Sequence, residues 1–500
     1  MEAQRNLKVS VENFGPVRKG EFELKPLTIL IGPNNSGKSY MSLLIYAFSQ
    51  ALSGKLHRPF YRSLFRVESP KELEKYGREI EEWLRPAFGP KENERRALFF
   101  KDLPENIQRI FEEQLQKSLY GLKDDLEQAI RDYLGCEVLQ SLIREGGLRK
   151  SLSISLNERR KEQPFLSFRL SEGARSATLR WTIPDMTAFR VPLAQVLRNF
   201  PLRTDVVKDW HWMLMGPLQE ALWAELLKIN GIPRQETYYL PAARSGILQG
   251  WQVFASMAAQ ILRRRFGLER IDMPPFTGVT GDFFQVLWER LFPQPRRGTG
   301  SKLRGALDIL ETQVFHGEIS VEKTGPERPL ILYKSGSLHL PLQRASSMVG
   351  ELTPLYLWIK YLLAPGDFVI IDEPEAHLHP ENQRRVARTL VRLVRAGVRV
   401  LCTTHSSLIL HQVSNHLLAA DAAPEVPAEQ DFTNDDVLKG EEVGVYRFEM
   451  QGNSSSIQPV PIEPGFGISE DEFVKVAEDI GEQTYRLSLP RRTSTIKKSR

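Results

Sequence analysis

The sequence predicts an α/β protein built on a largely parallel sheet, and three observations predict it. The apolar run Leu27-Thr28-Ile29-Leu30-Ile31 leads into the octet Gly32-Pro33-Asn34-Asn35-Ser36-Gly37-Lys38-Ser39, and a helix-like run from Tyr40 to Gln50 follows. A second apolar run, Phe368-Val369-Ile370-Ile371, ends in the adjacent carboxylates Asp372 and Glu373. Around it, helix-like segments at Thr353 to Leu363 and Pro380 to Ala396 alternate with the strand-like Val398 to Cys402, the order a parallel sheet requires.

Taken in order, Leu7 to Glu12 and Gly20 to Leu24 read as two strands about the turn Gly15-Pro16. After Gln50 the character changes. Residues 53–150 are charged, helical in period and broken by Pro70, Pro86, Pro90 and Pro104. Leu152 to Leu156, Phe165 to Leu170 and Ala177 to Ile183 then alternate as strands, and a helical stretch continues through Asn230. The chain therefore divides into a first half of the α/β domain at 1–52, a mostly helical insertion with a short β segment at 53–235, and a second half at 236–470. A C-terminal helix at 471–487 and a basic, disordered tail at 488–500 complete it. Tyr238-Tyr239-Leu240-Pro241 returns to the sheet, Trp251 to Phe266 is an amphipathic helix, and residues 318–342 hold three β runs. Residues 421–442, acidic apart from Lys439, form a surface loop, and Ser469 with Glu472 makes a capping box for the last helix.

At 500 residues the chain holds two or three compact units. Two cysteines, Cys136 and Cys402, suit a reducing cytosol, and neither a signal peptide nor a membrane span is expected, so a cytoplasmic, soluble protein is. The net charge of +5 belongs to the tail, where Arg486, Arg491, Arg492, Lys497, Lys498 and Arg500 meet no acid, so composition does not by itself mark a DNA-binding protein.

The octet matches G-x-x-x-x-G-K-[ST], with the strand before and the helix after that the chemistry needs. Glycines let the backbone curl so that amide N–H groups from Gly32, Pro33's neighbours Asn34 and Asn35, Ser36 and Gly37 face a phosphate, and the following helix adds its positive N-terminus. Lys38 would neutralise the β- and γ-phosphates of a nucleoside triphosphate, and the Ser39 hydroxyl would ligate Mg²⁺. At the end of a strand, successive side chains point to opposite sides, so Asp372 would hold Mg²⁺ through water while Glu373 polarises the attacking water. An ordinary strand end is the bland alternative for the pair. His405, in Thr403-Thr404-His405-Ser406 at the end of the next strand, could hydrogen-bond the γ-phosphate. Ser346 and Ser347, in Ala345 to Glu351, could grip it from outside, or merely cap a helix.

With Asn13-Phe14-Gly15-Pro16 ahead of the octet, the long insertion, Ser346-Ser347, Asp372-Glu373-Pro374-Glu375-Ala376-His377-Leu378-His379-Pro380 and Thr404-His405-Ser406, the chain resembles an ABC-type ATPase of the SMC/RecF/OLD branch. Such chains are called AAA-family (AAA_15 or AAA_21) ATPases. The resemblance covers about 1–52 and 236–465. It implies a P-loop NTPase fold, an ABC-type head with a mixed sheet and an antiparallel β-subdomain, and ATP with Mg²⁺ as cofactors. It also implies a homodimer or higher oligomer in which Ser346 or Ser347 of one head completes the site of the other, with Glu375 to Pro380 as the D-loop between them. Met348 departs from the pattern, which has glycine after the serines, so hydrolysis is expected to be slow. Gln163 and Arg244 are weak candidates for the Q-loop glutamine and for a nucleotide or interface contact.

Three further features read as structure rather than chemistry. His377 and His379 could bind metal but are better explained by the D-loop. Arg384, Arg385, Arg388, Arg392 and Arg395 could track DNA phosphates, though a solvated helix face accounts for them better. Trp210-His211-Trp212 reads as packing. OLD-like nucleases carry a Toprim domain after the histidine; the residues after His405 hold no apolar strand ending in Glu-Gly and no Asp-x-Asp, and Asp435-Asp436 reads as solvated surface, so no intrinsic nuclease is expected. The leading reading is an ATP-gated dimer that senses DNA or a foreign factor and controls a separate effector protein, a nuclease or toxin, as ATPases of Septu-type and PARIS-type anti-phage systems do. The alternatives are a RecF-like DNA-repair ATPase clamping DNA, and a regulatory switch in which ATP occupancy rather than turnover is the signal.

Overall fold

The computed structural model describes residues 6–52, 98–102, 105–144, 151–158, 164–182, 190–191, 236–250, 278–291, 301–323, 329–423 and 425–488. Strands β1 (Leu7–Phe14) and β2 (Val17–Leu24) form an antiparallel hairpin across Gly15, whose φ of +51° makes the tight turn possible. The fully buried β3 (Leu27–Ile31) then feeds the octet, and α1 (Lys38–Leu52) leaves it. From the segment read as an insertion come α2 (Glu105–Leu134) and the strands β4 (Ser151–Glu158), β5 (Leu166–Ser171) and β6 (Thr178–Trp181).

The second half begins at β7 (Thr237–Leu240) and passes through the short helix α3 (Gly278–Val286). A separate three-stranded antiparallel sheet follows, made of β8 (Glu318–Lys323), β9 (Pro329–Ser335) and β10 (Leu338–Pro341). Next come α4 (Ser347–Tyr361), β11 (Phe368–Asp372), α5 (Pro380–Arg395), β12 (Arg399–Thr404) and α6 (Ser407–Leu418). The hairpin β13 (Val443–Gln451) and β14 (Ser454–Pro459) precedes the last helix, α7 (Asp471–Ser488).

One eleven-stranded mixed sheet organises the protein, in the order β6-β5-β4-β1-β2-β14-β13-β3-β12-β11-β7. From β13 to β7 every neighbouring pair is parallel. From β6 to β2 every pair is antiparallel. Because strand side chains alternate, Val369 and Ile371 of β11 enter one core with α4, α5 and α6, while Phe368 and Ile370 enter the other with α1 and α2. The parallel strands are thus buried on both faces and read as unbroken apolar runs, as in Phe368–Ile371.

Two expectations meet a different outcome. The described part of residues 53–235 does not stand apart from the head: β4 pairs along β1 from Leu7↔Glu158 to Glu12↔Ser153, and α2 packs on α1. Helix α4 starts already at Ser347 and runs through Pro354, because Ser346 caps it by accepting from the Val349 N–H. Helix α7 starts at Asp471, and the carbonyl of Glu470 accepts from the Val474 N–H of its first turn; the side chain of Glu472, the expected partner of Ser469, lies outside what the structure describes. Trp251–Phe266, Trp210–Trp212, Gln163 and the tail from 489 lie outside the described residues. Among those described, no helix is long and apolar enough to cross a membrane.

Candidate functional site

The octet forms the loop between β3 and α1, where the parallel half of the sheet presents its strand ends. Gly32 has φ +136°, and a Cβ there would stand 2.6 Å from the carbonyl oxygen of Phe448. Gly37 has φ +101°, and its Cβ would meet Pro16 Cγ and Val17 Cγ2 at 2.9 Å. Glycine is required at both places, once for the curl and once for the close approach. This also accounts for Gly15-Pro16: the hairpin turn packs against the octet from outside. Pro33, Asn34 and Asn35 are exposed at the rim, Ser36 is buried beneath it, and Asn35 is itself left-handed at φ +60°. Ser455 of β14 donates to the Ser36 carbonyl at 2.6 Å and pins the loop from below.

Lys38 is buried, and its Nζ donates to the carbonyls of Gly32 at 2.8 Å and Pro33 at 2.7 Å. The ammonium therefore sits at the centre of the loop. Ser39 is exposed at the first turn of α1. One turn on, Ser42 donates to Asp372 Oδ1 at 3.1 Å and lies 2.9 Å from the Tyr239 hydroxyl.

Asp372 ends β11 opposite Thr403 of β12, and the Thr403 hydroxyl donates to its Oδ1 at 2.9 Å. Tyr239 of β7 donates to Oδ2. Burial pushes the Asp372 carboxyl up, and the hydrogen bonds from Tyr239, Thr403 and Ser42 pull against it. Glu373 follows in the left-handed region at φ +47°, a strained position for a side chain of this kind. Its backbone N–H donates to the Thr403 carbonyl at 3.1 Å, and its carboxylate turns outward. There Oε1 lies 3.7 Å from Nε2 of His405, which stands just past the end of β12. Glu373 and His405 are each partly open to solvent, so both can be reached from the loop's side.

The next turn is also anchored. Glu375 Oε1 accepts from the Thr404 hydroxyl and from the His405 backbone N–H, each at 2.7 Å. Burial pushes this carboxyl up, while those two donors oppose the shift. Ser406 caps α6 through the Ile409 N–H and donates to Gln383 Oε1 at 2.6 Å.

Several expectations are corrected. Arg244 is buried and contacts no surface. Its guanidinium donates to the carbonyls of Asp372 at 2.7 Å, Glu373 at 3.1 Å and Glu351 at 3.1 Å, and Nη2 lies 2.9 Å from Glu351 Oε1. That last contact lies off the N–H direction and is an ion pair rather than a hydrogen bond. Arg244 thus clamps the end of β11 from behind. Most of the arginines of α5 are not the solvated face expected of them. Arg388 and Arg392 both grip the buried Asp436, and Arg395 pairs with Glu442, both acids of the segment read as a surface loop. Arg385 reaches the Gln313 carbonyl, and Arg384 keeps an outward position beside Glu381. Asp436 is therefore not solvated surface.

Ser346 and Ser347 are exposed at the N-terminus of α4, Ser346 as its cap. Met348 Sδ takes a contact of 2.9 Å from Asn382 Nδ2 of α5. His377 and His379 are exposed, and His379 caps α5 by accepting from the Glu381 N–H at 3.4 Å. No group of three or more metal-ligating side chains gathers among the described residues. Sequence reasoning missed Tyr239 as part of the site, and it named Glu375 only as the start of the D-loop, not as the anchor of Thr404 and His405.

Two family models match the chain. Residues 7–145 match the "AAA ATPase domain", and residues 331–411 match the "AAA domain, putative AbiEii toxin, Type IV TA system". The first carries the octet and the second carries Asp372, Glu373 and His405. The chain carries an AAA-type ATPase domain. A comparison with curated proteins finds no match. Among solved structures, an SMC head bound to the C-terminal winged-helix domain of ScpA aligns at 12% identity and TM-score 0.40, covering 94% of this chain and 99% of that one. The Pyrococcus furiosus SMC head with an extended coiled coil, bound to the C-terminal domain of ScpA, aligns at 13% and TM-score 0.38, covering 95% and 99%. The SMC head of Thermotoga maritima aligns at 12% and TM-score 0.34, covering 92% and 100%.

Proposed function

We propose that this protein binds and hydrolyses ATP with Mg²⁺, and that the bound nucleotide gates the pairing of two copies to control a separate effector. The observation that carries the reading is the approach of Glu373 and His405 to 3.7 Å at neighbouring strand ends, with an octet whose curl only glycine can make at Gly32 and Gly37.

The residues present fit a triphosphate. The curl at Gly32 and Gly37 turns backbone N–H groups inward, and α1 adds its N-terminus. Lys38 exchanges the Gly32 and Pro33 carbonyls for the β- and γ-phosphate oxygens, a swap of neutral for charged acceptors. Ser39 and Asp372 would hold Mg²⁺, which supplies charge neutralisation at the phosphates when bound. Glu373 takes the proton of the attacking water, and its strained backbone keeps the carboxylate facing outward. His405 orients Glu373 and donates toward the γ-phosphate.

Pairing is supported by the exposure of Ser346 and Ser347 at a helix N-terminus, where a second copy can be reached. A DNA clamp of the RecF kind loses its best support with the α5 arginines, which are held by Asp436 and Glu442. One observation favours the occupancy-switch alternative: Met348, held by Asn382, stands where glycine would allow close approach. Light scattering tests the pairing. Glu373→Gln with ATP and Mg²⁺ should double in mass, and the added substitution Ser347→Arg should keep it monomeric. A mass that ignores ATP in every variant would defeat the gating.

A further inference from the structure

Glu375 joins the two loops that carry Glu373 and His405, a task apart from the D-loop place that the resemblance implies for it. It sits in the turn after β11, and its Oε1 accepts both the Thr404 hydroxyl and the His405 backbone N–H at 2.7 Å. The same turn is closed by Ala376 N–H to the Glu373 carbonyl at 3.0 Å and Leu378 N–H to the Glu375 carbonyl at 3.0 Å. Thr404 Oγ1 in turn accepts from Ser406 N–H at 3.0 Å, and Ser406 is held by Gln383 of α5. One carboxylate oxygen thus terminates a hydrogen-bonded chain that fixes where the His405 backbone leaves β12. The second oxygen, Oε2, is buried with no hydrogen-bond partner among the described residues, so both described side-chain hydrogen bonds of the group fall on Oε1 and serve this one link.

Resting on the ATPase reading above, we propose that Glu375 is a positioning residue for hydrolysis, which sets the His405 imidazole at its distance from Glu373 by holding the His405 amide. The physical case is geometric. Glu373 and His405 lie on different loops: the Thr403 hydroxyl accepts from the Glu373 N–H at 3.2 Å at the base of one, and Glu375 ties the same turn to the His405 amide itself. Without it the loop after β12 is free to shift by about 1 Å, a displacement worth on the order of 100-fold in rate when it separates acting groups. An apolar core contact would serve stability equally well; an acceptor aimed at a single amide serves alignment.

The test is a double-mutant cycle in ATP turnover, with kcat and KM measured separately. Glu375→Ala should lower kcat by about 10- to 100-fold with KM for ATP within about threefold of the wild type. In the His405→Ala background the same change should cost about twofold or less, since its effect passes through His405. Glu375→Gln keeps Oε1 as an acceptor and should retain kcat within about threefold, despite an amide group placed where Oε2 is unpartnered. It serves the same cycle if the alanine variant does not fold. A Glu375→Ala enzyme with wild-type kcat, a loss that persists undiminished without His405, or a Gln variant as slow as His405→Ala would each overturn the assignment while leaving the ATPase reading intact. Absence of turnover by the wild type would overturn the reading itself and the assignment with it.

Discussion

Tyr239 donates its phenol hydroxyl to Oδ2 of Asp372, 133 residues further along the chain, and so places an edge strand's side chain on the carboxylate expected to hold Mg²⁺. Both groups are buried, and burial raises the Tyr239 hydroxyl well above its ordinary pKa, so it remains a donor. Tyr239→Phe removes that donor and leaves a buried carboxylate oxygen short of a partner. The expected cost is about 1–3 kcal/mol in urea denaturation at neutral pH. An unchanged midpoint would show that Thr403 and Ser42 suffice.

Acid should loosen the packing of α5 and α6 through His416. Burial holds this histidine down to about 4, with its ring stacked on Phe432 at 4.7 Å. The unfolded value is about 6.5, so the stability linked to the neutral ring is full above that pH and is lost as pH falls toward 4. The integrated loss is on the order of 3 kcal/mol. His416→Gln should be less stable at pH 7, and the wild-type advantage should shrink steadily toward pH 4. Burial alone would raise Asp436, but Arg388 and Arg392 overcome it and hold the carboxyl well below its usual range. Its contribution persists above an unfolded pKa of about 4 and is lost only below it, beneath the histidine window. The two effects can therefore be separated on the pH axis.

Arg244→Lys should be costly despite keeping the charge. The fork serves four carbonyls, those of Pro241, Glu351, Asp372 and Glu373, and the Glu351 carboxylate at once, which an ammonium on a flexible stem cannot match. Loss of one partner from a buried pair costs about 3–5 kcal/mol, and a large drop in thermal midpoint is expected. Because Arg244 holds the carbonyls of Asp372 and Glu373, turnover in surviving protein should fall as well.

Gly37→Ala should abolish ATP binding while sparing the fold. The methyl group would meet Pro16 and Val17 at 2.9 Å, and φ +101° is strained for alanine, so the octet must open. Fluorescent-nucleotide titration should show at least a roughly 100-fold weaker affinity, with β1 and β2 retaining their amide protection. Wild-type affinity would place the nucleotide elsewhere.

What was legible in the sequence was local. The octet, Asp372-Glu373 and His405 are each contiguous, each at the end of an apolar run, and strand ends in a parallel sheet converge on one side by geometry. The arginines of α5 show the limit. Their periodicity marks a polar face correctly, but Asp436, the acid that grips Arg388 and Arg392, lies 48 and 44 residues on from them, in a segment whose composition reads as solvent-exposed. Charge pattern states what a residue can pair with, not whether the partner arrives. Strands β4 to β6 alternate plainly, yet no local signal shows that they extend the sheet from β1. Arg244 was noticed for its place after a strand, and only the fold reveals that it faces inward.

ATP turnover by the wild type and by Glu373→Gln, with Mg²⁺ and with or without duplex DNA, tests the central claim most directly. The account predicts measurable turnover by the wild type and a loss of about 100-fold or more in the variant, which should still bind ATP. Turnover unaffected by Glu373→Gln would contradict it.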